Sequence, residues 1–141
     1  MLLRAIISIL FFALPASLQA VEKPLIGMSK EHVKTEMRSE YKMFSPDNSV
    51  TKQHFNYLKY VNGRRTITWI IYFSDQDICT TTKKVCDYSE YDSVLEEINN
   101  KYRKVGNHEW EYDSEDRTYT VKLVEEDWYF TIRERLKVNR K

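Results

Sequence analysis

Two stretches of this chain repeat one another, and that repeat restricts the possible folds more than any single motif does. Val33, Met37 and Tyr41 fall at i, i+4 and i+8 and are followed by Lys42; Val94, Ile98 and Tyr102 fall at the same spacing and are followed by Arg103. Such spacing puts three apolar side chains on one face of a helix. Downstream of the first set comes Arg65-Thr-Ile-Thr-Trp-Ile-Ile71, and downstream of the second comes Arg117-Thr-Tyr-Thr-Val-Lys-Leu123. Val33 to Arg65 spans 32 positions and Val94 to Arg117 spans 23, so the first copy carries about nine extra residues between helix and strand. The pattern predicts two helix-then-strands units.

Local chemistry sets the limits of each unit. Ser29 can cap the first helix, Glu31 places a carboxylate in its first turn, and Ser45-Pro46-Asp47-Asn48 ends the segment. Ser89 or Asp92 can cap the second helix, and Gly106 is its natural stop. In the first unit, Ile67, Trp69, Ile71 and Phe73 alternate with Thr66, Thr68, Ile70 and Tyr72, the period of a half-buried strand. Asn62-Gly63 reads as a two-residue hairpin turn, making 53–61 the partner strand. After a turn at 74–77, a third strand begins at Ile78. The second unit offers strands at 108–112, 118–124 and 128–135, with turns at 113–116 and 125–127.

The expected fold is therefore α+β: two tandem αβββ units, about 27–87 and 88–136, forming an antiparallel sheet with both helices packed on one face. One sheet face would stay open. Ile70, Tyr72 and Tyr129 fall on strand positions opposite the expected core, joined by Tyr57 or Tyr60 depending on register. Ten tyrosines are a high count for this length, and tyrosine offers stiff contact area with a polar handle, as binding surfaces require. Tyr and Thr also suit half-exposed strands for purely structural reasons.

Residues 1–20 read as a secretory signal peptide: Arg4, an apolar run from Ala5 to Leu14, then the small, helix-breaking 15–20 segment. Cleavage is expected after Ala20, with Ala16 the other candidate, leaving 21–141 as a single domain in the periplasm or outside the cell. The apolar run is well short of the ~20 residues that span a bilayer, so no stable membrane anchor is expected after cleavage. The full chain has 22 Lys+Arg and 21 Asp+Glu; removing Arg4 makes the two equal. Near-zero net charge argues against nucleic acid as the partner, because that binding draws on many basic contacts. Charge is nonetheless uneven, with an acidic stretch from Glu109 to Asp127 and a basic tail at Arg133, Arg135, Lys137, Arg140 and Lys141. Both read as solvated turns and terminus, or as a charged docking surface. Cys79 and Cys86, two cysteines in an exported chain, read as one structural disulfide contributing about 2.5 kcal/mol.

Catalytic patterns do not stand out. His32, His54 and His108 are scattered without metal-ligand spacing, no G-x-S-x-G elbow occurs, and three glycines cannot build a phosphate loop. No metal site and no cofactor are expected. His108 and Trp110 could line a pocket, or simply begin an edge strand.

The run Gly27-Met28-Ser29-Lys30-Glu31-His32-Val33 resembles the G-M-[ST]-x-x-x-V opening of the SmpA/OmlA outer-membrane assembly lipoproteins. The tandem helix-plus-strands layout resembles the β-lactamase inhibitory protein fold. The lipobox of the first family and the paired disulfides of the second are missing. What the resemblance implies is a non-enzymatic protein that grips a protein partner with its sheet face and turns. The expectation is thus an exported protein-binding module: an inhibitor, an immunity-type protein or an envelope accessory factor. The alternatives are a small envelope hydrolase working through carboxylates, and a small-ligand carrier with an apolar cavity between helices and sheet.

Overall fold

The computed structural model describes residues 23–49 and 54–139. The expected signal peptide at 1–20, Gln53, Arg140 and Lys141 lie outside the described residues. Helix α1 (Lys30–Ser39) is followed by strands β1 (Phe44–Pro46), β2 (Tyr57–Asn62), β3 (Ile67–Phe73) and β4 (Cys79–Cys86). Helix α2 (Tyr91–Lys101) is followed by β5 (Arg103–Gly106), β6 (Glu109–Ser114), β7 (Arg117–Glu125) and β8 (Phe130–Leu136). All eight strands form one antiparallel sheet in the order β1-β2-β3-β4-β8-β7-β6-β5.

This overturns the expected pair of αβββ units with helices packed on one face. Each helix precedes four strands, and the strands join into one continuous sheet through β4 and β8. Sheet pairing dominates, since the helices contribute only Val33, Met37 and Ile98 as buried side chains. The unforeseen strands, β1 and β5, are the two edges. They are three and four residues long, and β1 contains Pro46, which an edge strand tolerates because one side of its backbone needs no ladder partner. β5 also occupies the stretch expected to finish the second helix, so Gly106 ends a strand instead.

Turn and cap chemistry is partly redistributed. Ser29 caps α1, its hydroxyl accepting from the His32 backbone N–H at 3.2 Å. Neither Ser89 nor Asp92 caps α2; Asp87 accepts from the Ser89 N–H at 2.8 Å and starts a short 3-10 turn that leads into the helix. Asn62-Gly63 is not a two-residue turn. The connection runs to Ile67, Arg65 adopts φ 57°, and the Asn62 side chain accepts from the Thr66 and Ile67 N–H groups at 2.8 and 2.9 Å. The turn with two positive-φ residues is Glu115-Asp116, between β6 and β7.

Register fixes which side chains share a face. Tyr60 opposes Trp69, Ile67 opposes Cys86, Cys86 opposes Phe130, Ile132 opposes Leu123, and Trp110 opposes Val121. These residues form the core face, on which two clusters are buried: Val33 and Met37 with Tyr60, Trp69, Ile71, Phe73 and Cys79, and Ile98 with Cys86, Trp110, Val121, Leu123, Phe130 and Ile132. Among the described residues, no helix is long and apolar enough to cross a membrane.

The expected disulfide is also overturned. Cys79 and Cys86 are free thiols at opposite ends of β4. Seven steps of roughly 3.3 Å place them about 23 Å apart, far beyond the ~7 Å limit between bridged Cα atoms. Seven positions along a regular strand should also put them on opposite faces. The β3–β4 register shift, in which Tyr72 opposes Thr81 but Phe73 opposes Cys79, leaves Thr80 as an extra residue and turns both thiols inward. Burial first pushes the Cys79 thiol up to about 12 and the Cys86 thiol up to about 11.

Candidate docking face and the cleft behind it

The face opposite the core holds the expected aromatic residues only in part. Tyr57 opposes Tyr72 with ring centroids 6.4 Å apart, and Ile70, one pair further along β3, lies beside them on this face. Tyr60 does not belong there. It opposes Trp69 and is 5% exposed in the core, so the register selects Tyr57 and excludes Tyr60. Tyr129 is exposed but sits in the turn before β8, where the Glu126 N–H donates to its carbonyl at 2.9 Å. Six positions of β8 separate it from Arg135, the residue level with Tyr72 and Thr81, so it does not join the Tyr57–Tyr72 corner.

The centre of this face is basic. One line of registered neighbours crosses six strands: Lys59, Ile70, Lys83, Arg133, Lys122 and Glu109. Arg135 lies on the adjacent line, between Thr81 and Thr120. The ends of the row are neutralised: Lys59 meets Asp47 at 3.2 Å and Lys122 meets Glu109 at 3.1 Å. Further out, Glu111 receives Lys137 at 2.7 Å and Arg103 at 3.6 Å. Lys83, Arg133 and Arg135, in the middle, have no carboxylate within ion-pair distance among the described residues. They border a concavity of about 410 Å³ whose far wall carries Glu109 and Glu111.

Sequence reasoning missed this row because it is not contiguous. Arg133 and Arg135 read as part of a basic tail, and Lys59, Lys83 and Lys122 lie far apart along the chain. Alternation in Thr81, Lys83, Val85 and in Thr131, Arg133, Arg135 shows that each set shares a face, but only strand order makes them neighbours.

A second concave feature, a cleft of about 310 Å³, lies on the core face where β4 and β8 meet between the two clusters. Tyr41, Phe44 and Trp69 stand on one side and Tyr102 and Tyr112 on the other, with Thr82, Lys84, Ile132 and Glu134 between them. Tyr41 and Phe44 meet the Trp69 ring edge-on at 4.9 and 5.3 Å, and Tyr102 stacks on Tyr112 at 4.8 Å. The Tyr112 hydroxyl donates to Glu134; burial, then that carboxylate, drives the phenol well above its usual range. Among the described residues His108 and Trp110 do not line a pocket together: Trp110 borders the concavity on the basic face and His108 does not. The Trp110 side chain is fully buried, and its Nε1 donates to Asn99 Oδ1 at 2.9 Å.

Among the described residues, no group of three or more His, Cys, Asp or Glu is placed to hold a metal ion. Comparison with protein-family models, with curated proteins and with solved structures finds no match to this chain.

Proposed function

We propose that this protein is an exported, non-enzymatic protein-binding module, of the inhibitor, immunity or envelope-accessory kind, whose sheet face grips an acidic surface on a protein partner. The observation that carries this reading is the run Lys83–Arg133 with Arg135 beside it, three cations without carboxylate partners on one concave face. Unpaired cations gathered on a protein of near-zero net charge steer a partner of opposite sign and set its orientation more than its affinity. The Tyr57–Tyr72 corner with Ile70 supplies the stiff apolar contact that cations alone lack.

The test begins with capture from periplasmic or secreted extract and then uses the purified captured protein. Arg133→Glu and Tyr72→Ala should each weaken its binding by about tenfold or more, and raised salt should slow its association. Lys84→Gln, on the other face, should leave binding unchanged. Binding that survives both Arg133→Glu and Tyr72→Ala rejects this face.

A further inference from the structure

We infer that the cleft at the β4–β8 junction is a separate binding site for a small organic acid with an aromatic body. Two donors there have no acceptor among the described residues. Lys84 Nζ is half-buried 4.3 Å over the Trp69 ring and makes no ion pair. Trp69 Nε1 is fully buried without a hydrogen-bond partner. A buried donor left without an acceptor is costly, and most such donors in proteins are satisfied. Lys84 and Trp69 line this cleft with four further rings, and Lys23, Lys101, Glu40 and Glu97 stand at its margins. An ammonium and an unspent indole N–H among those rings match a carboxylate attached to a planar apolar group.

Charge sets the orientation of that ligand. Glu134 lies across β8 from Thr82, two positions along from the Lys84–Ile132 pair, and already accepts the Tyr112 hydroxyl. Lys101 lines the cleft beside Glu97, to which it is paired at 3.7 Å, whereas Lys84 has no carboxylate partner among the described residues and stands over Trp69, so the ligand's carboxylate is drawn to Lys84. The aromatic body then lies between the Tyr41–Trp69 and Tyr102–Tyr112 ring pairs, whose faces and edges favour stacked or edge-on partners. A volume near 310 Å³ falls at the lower end of the range for small-molecule sites. This site shares no side chain with the basic row on the opposite face.

The probe is 3-phenylpropionate, with 3-phenylpropanamide as its uncharged counterpart, followed by calorimetry and by the indole N–H resonances in a nitrogen-15 correlation spectrum. The acid should bind saturably, move the Trp69 indole resonance, and bind about tenfold or more tightly than the amide. Lys84→Gln should abolish the preference for the acid, and Lys83→Gln, on the neighbouring position but the opposite face, should preserve it. The assignment is overturned if acid and amide bind alike, if the acid does not bind saturably, if the shift falls on Trp110 or Trp128, or if Lys83→Gln matters as much as Lys84→Gln.

Discussion

Trp69 and Trp110 stand on the same sheet face, one in each half of the molecule, and neither is more than 5% exposed. Trp110 Nε1 donates to Asn99 on α2, so in the second half the helix is hydrogen-bonded to the sheet through the core. Trp69 Nε1 has no acceptor among the described residues. The first half holds its helix by Val33 and Met37, and at the helix start by Lys30, whose Nζ donates to Asn56 Oδ1 at 2.6 Å and whose N–H donates to the Asp77 carbonyl at 2.9 Å. The difference separates two ways of seating an indole. One fills a closed core and satisfies its donor internally. The other borders a cleft, packed by Tyr41, Phe44 and the Lys84 cation, with its donor unspent.

The largest expected effect uses the thiols, one in each cluster. Reaction with a thiol reagent requires opening of the surrounding core, so labelling should be slowed by roughly 10³-fold or more relative to the unfolded chain. High thiol pKa values, about 12 and about 11, reinforce the protection at neutral pH. Cys86 is flanked by pairing on both sides, with Ile67 and Phe130. β8 pairs with β4 only from Thr81 onward, so Cys79 lacks a β8 neighbour. Cys79 should therefore label first. Equal rates measured by mass spectrometry would mean that the two halves open together, and a recovered Cys79–Cys86 bridge in the native protein would contradict the strand itself.

Core truncation comes next. Met37→Ala and Ile98→Ala each remove the main apolar anchor of a helix and should each cost about 2–5 kcal/mol in denaturant unfolding. Met37 shares its role with fully buried Val33, whereas Ile98 is the one buried residue of α2, flanked by only partly buried Val94 and Leu95. Ile98→Ala should therefore loosen α2 more, seen as faster amide exchange in that helix than Met37→Ala produces in α1.

How much of this contrast was legible in the sequence depends on the range of the interaction. The helical pairs Val33-Met37 and Val94-Ile98, the Ser29 cap and the alternation in β3 are local, and the structure contains them, but Tyr41 and Tyr102 fall past the ends of α1 and α2, so neither expected triplet is wholly helical. The strands β1 and β5 were not legible because three or four residues are too few to display a period. The disulfide reading failed on compartment logic alone: cysteine parity says nothing of distance, and Thr80's bulge, which turns both thiols inward, has no sequence signature. The sequence does not decide between Tyr57 and Tyr60 for the same reason that it hides the basic row. Both depend on which strand lies alongside which.

Trp110→Phe and Trp69→Phe isolate the polar part of the comparison. Both lose ring volume, but only Trp110→Phe breaks a hydrogen bond, so it should be the more destabilising by about 1 kcal/mol. Trp69→Phe removes an unsatisfied donor, which offsets part of the lost packing. If the two substitutions cost the same, Trp69 Nε1 is satisfied after all, and the acid-binding cleft loses one of its two donors.

The smallest effect concerns the two sheet edges and their pH response. Near edge strand β1, the Ser49 hydroxyl and N–H, followed by Lys59, hold the Asp47 carboxyl down to about 2. Beside edge strand β5, Asp113 is lowered first by the Thr118 hydroxyl, with Arg103 adding to it. A carboxyl whose pKa is depressed on folding binds fewer protons folded than unfolded at intermediate pH. Its stabilisation is complete above the unfolded value, about 3.9, and is lost as pH falls through the folded value. For Asp47 that window runs from about pH 4 to about pH 2. Asp47→Asn should therefore flatten the acid limb of a stability profile in that window while lowering stability at pH 7, and Asp113→Asn should flatten it less. An unchanged acid limb in Asp47→Asn would mean that Ser49 and Lys59 do not hold this carboxylate in solution, and with it would go the pairing that leaves only the middle of the basic row open to a partner.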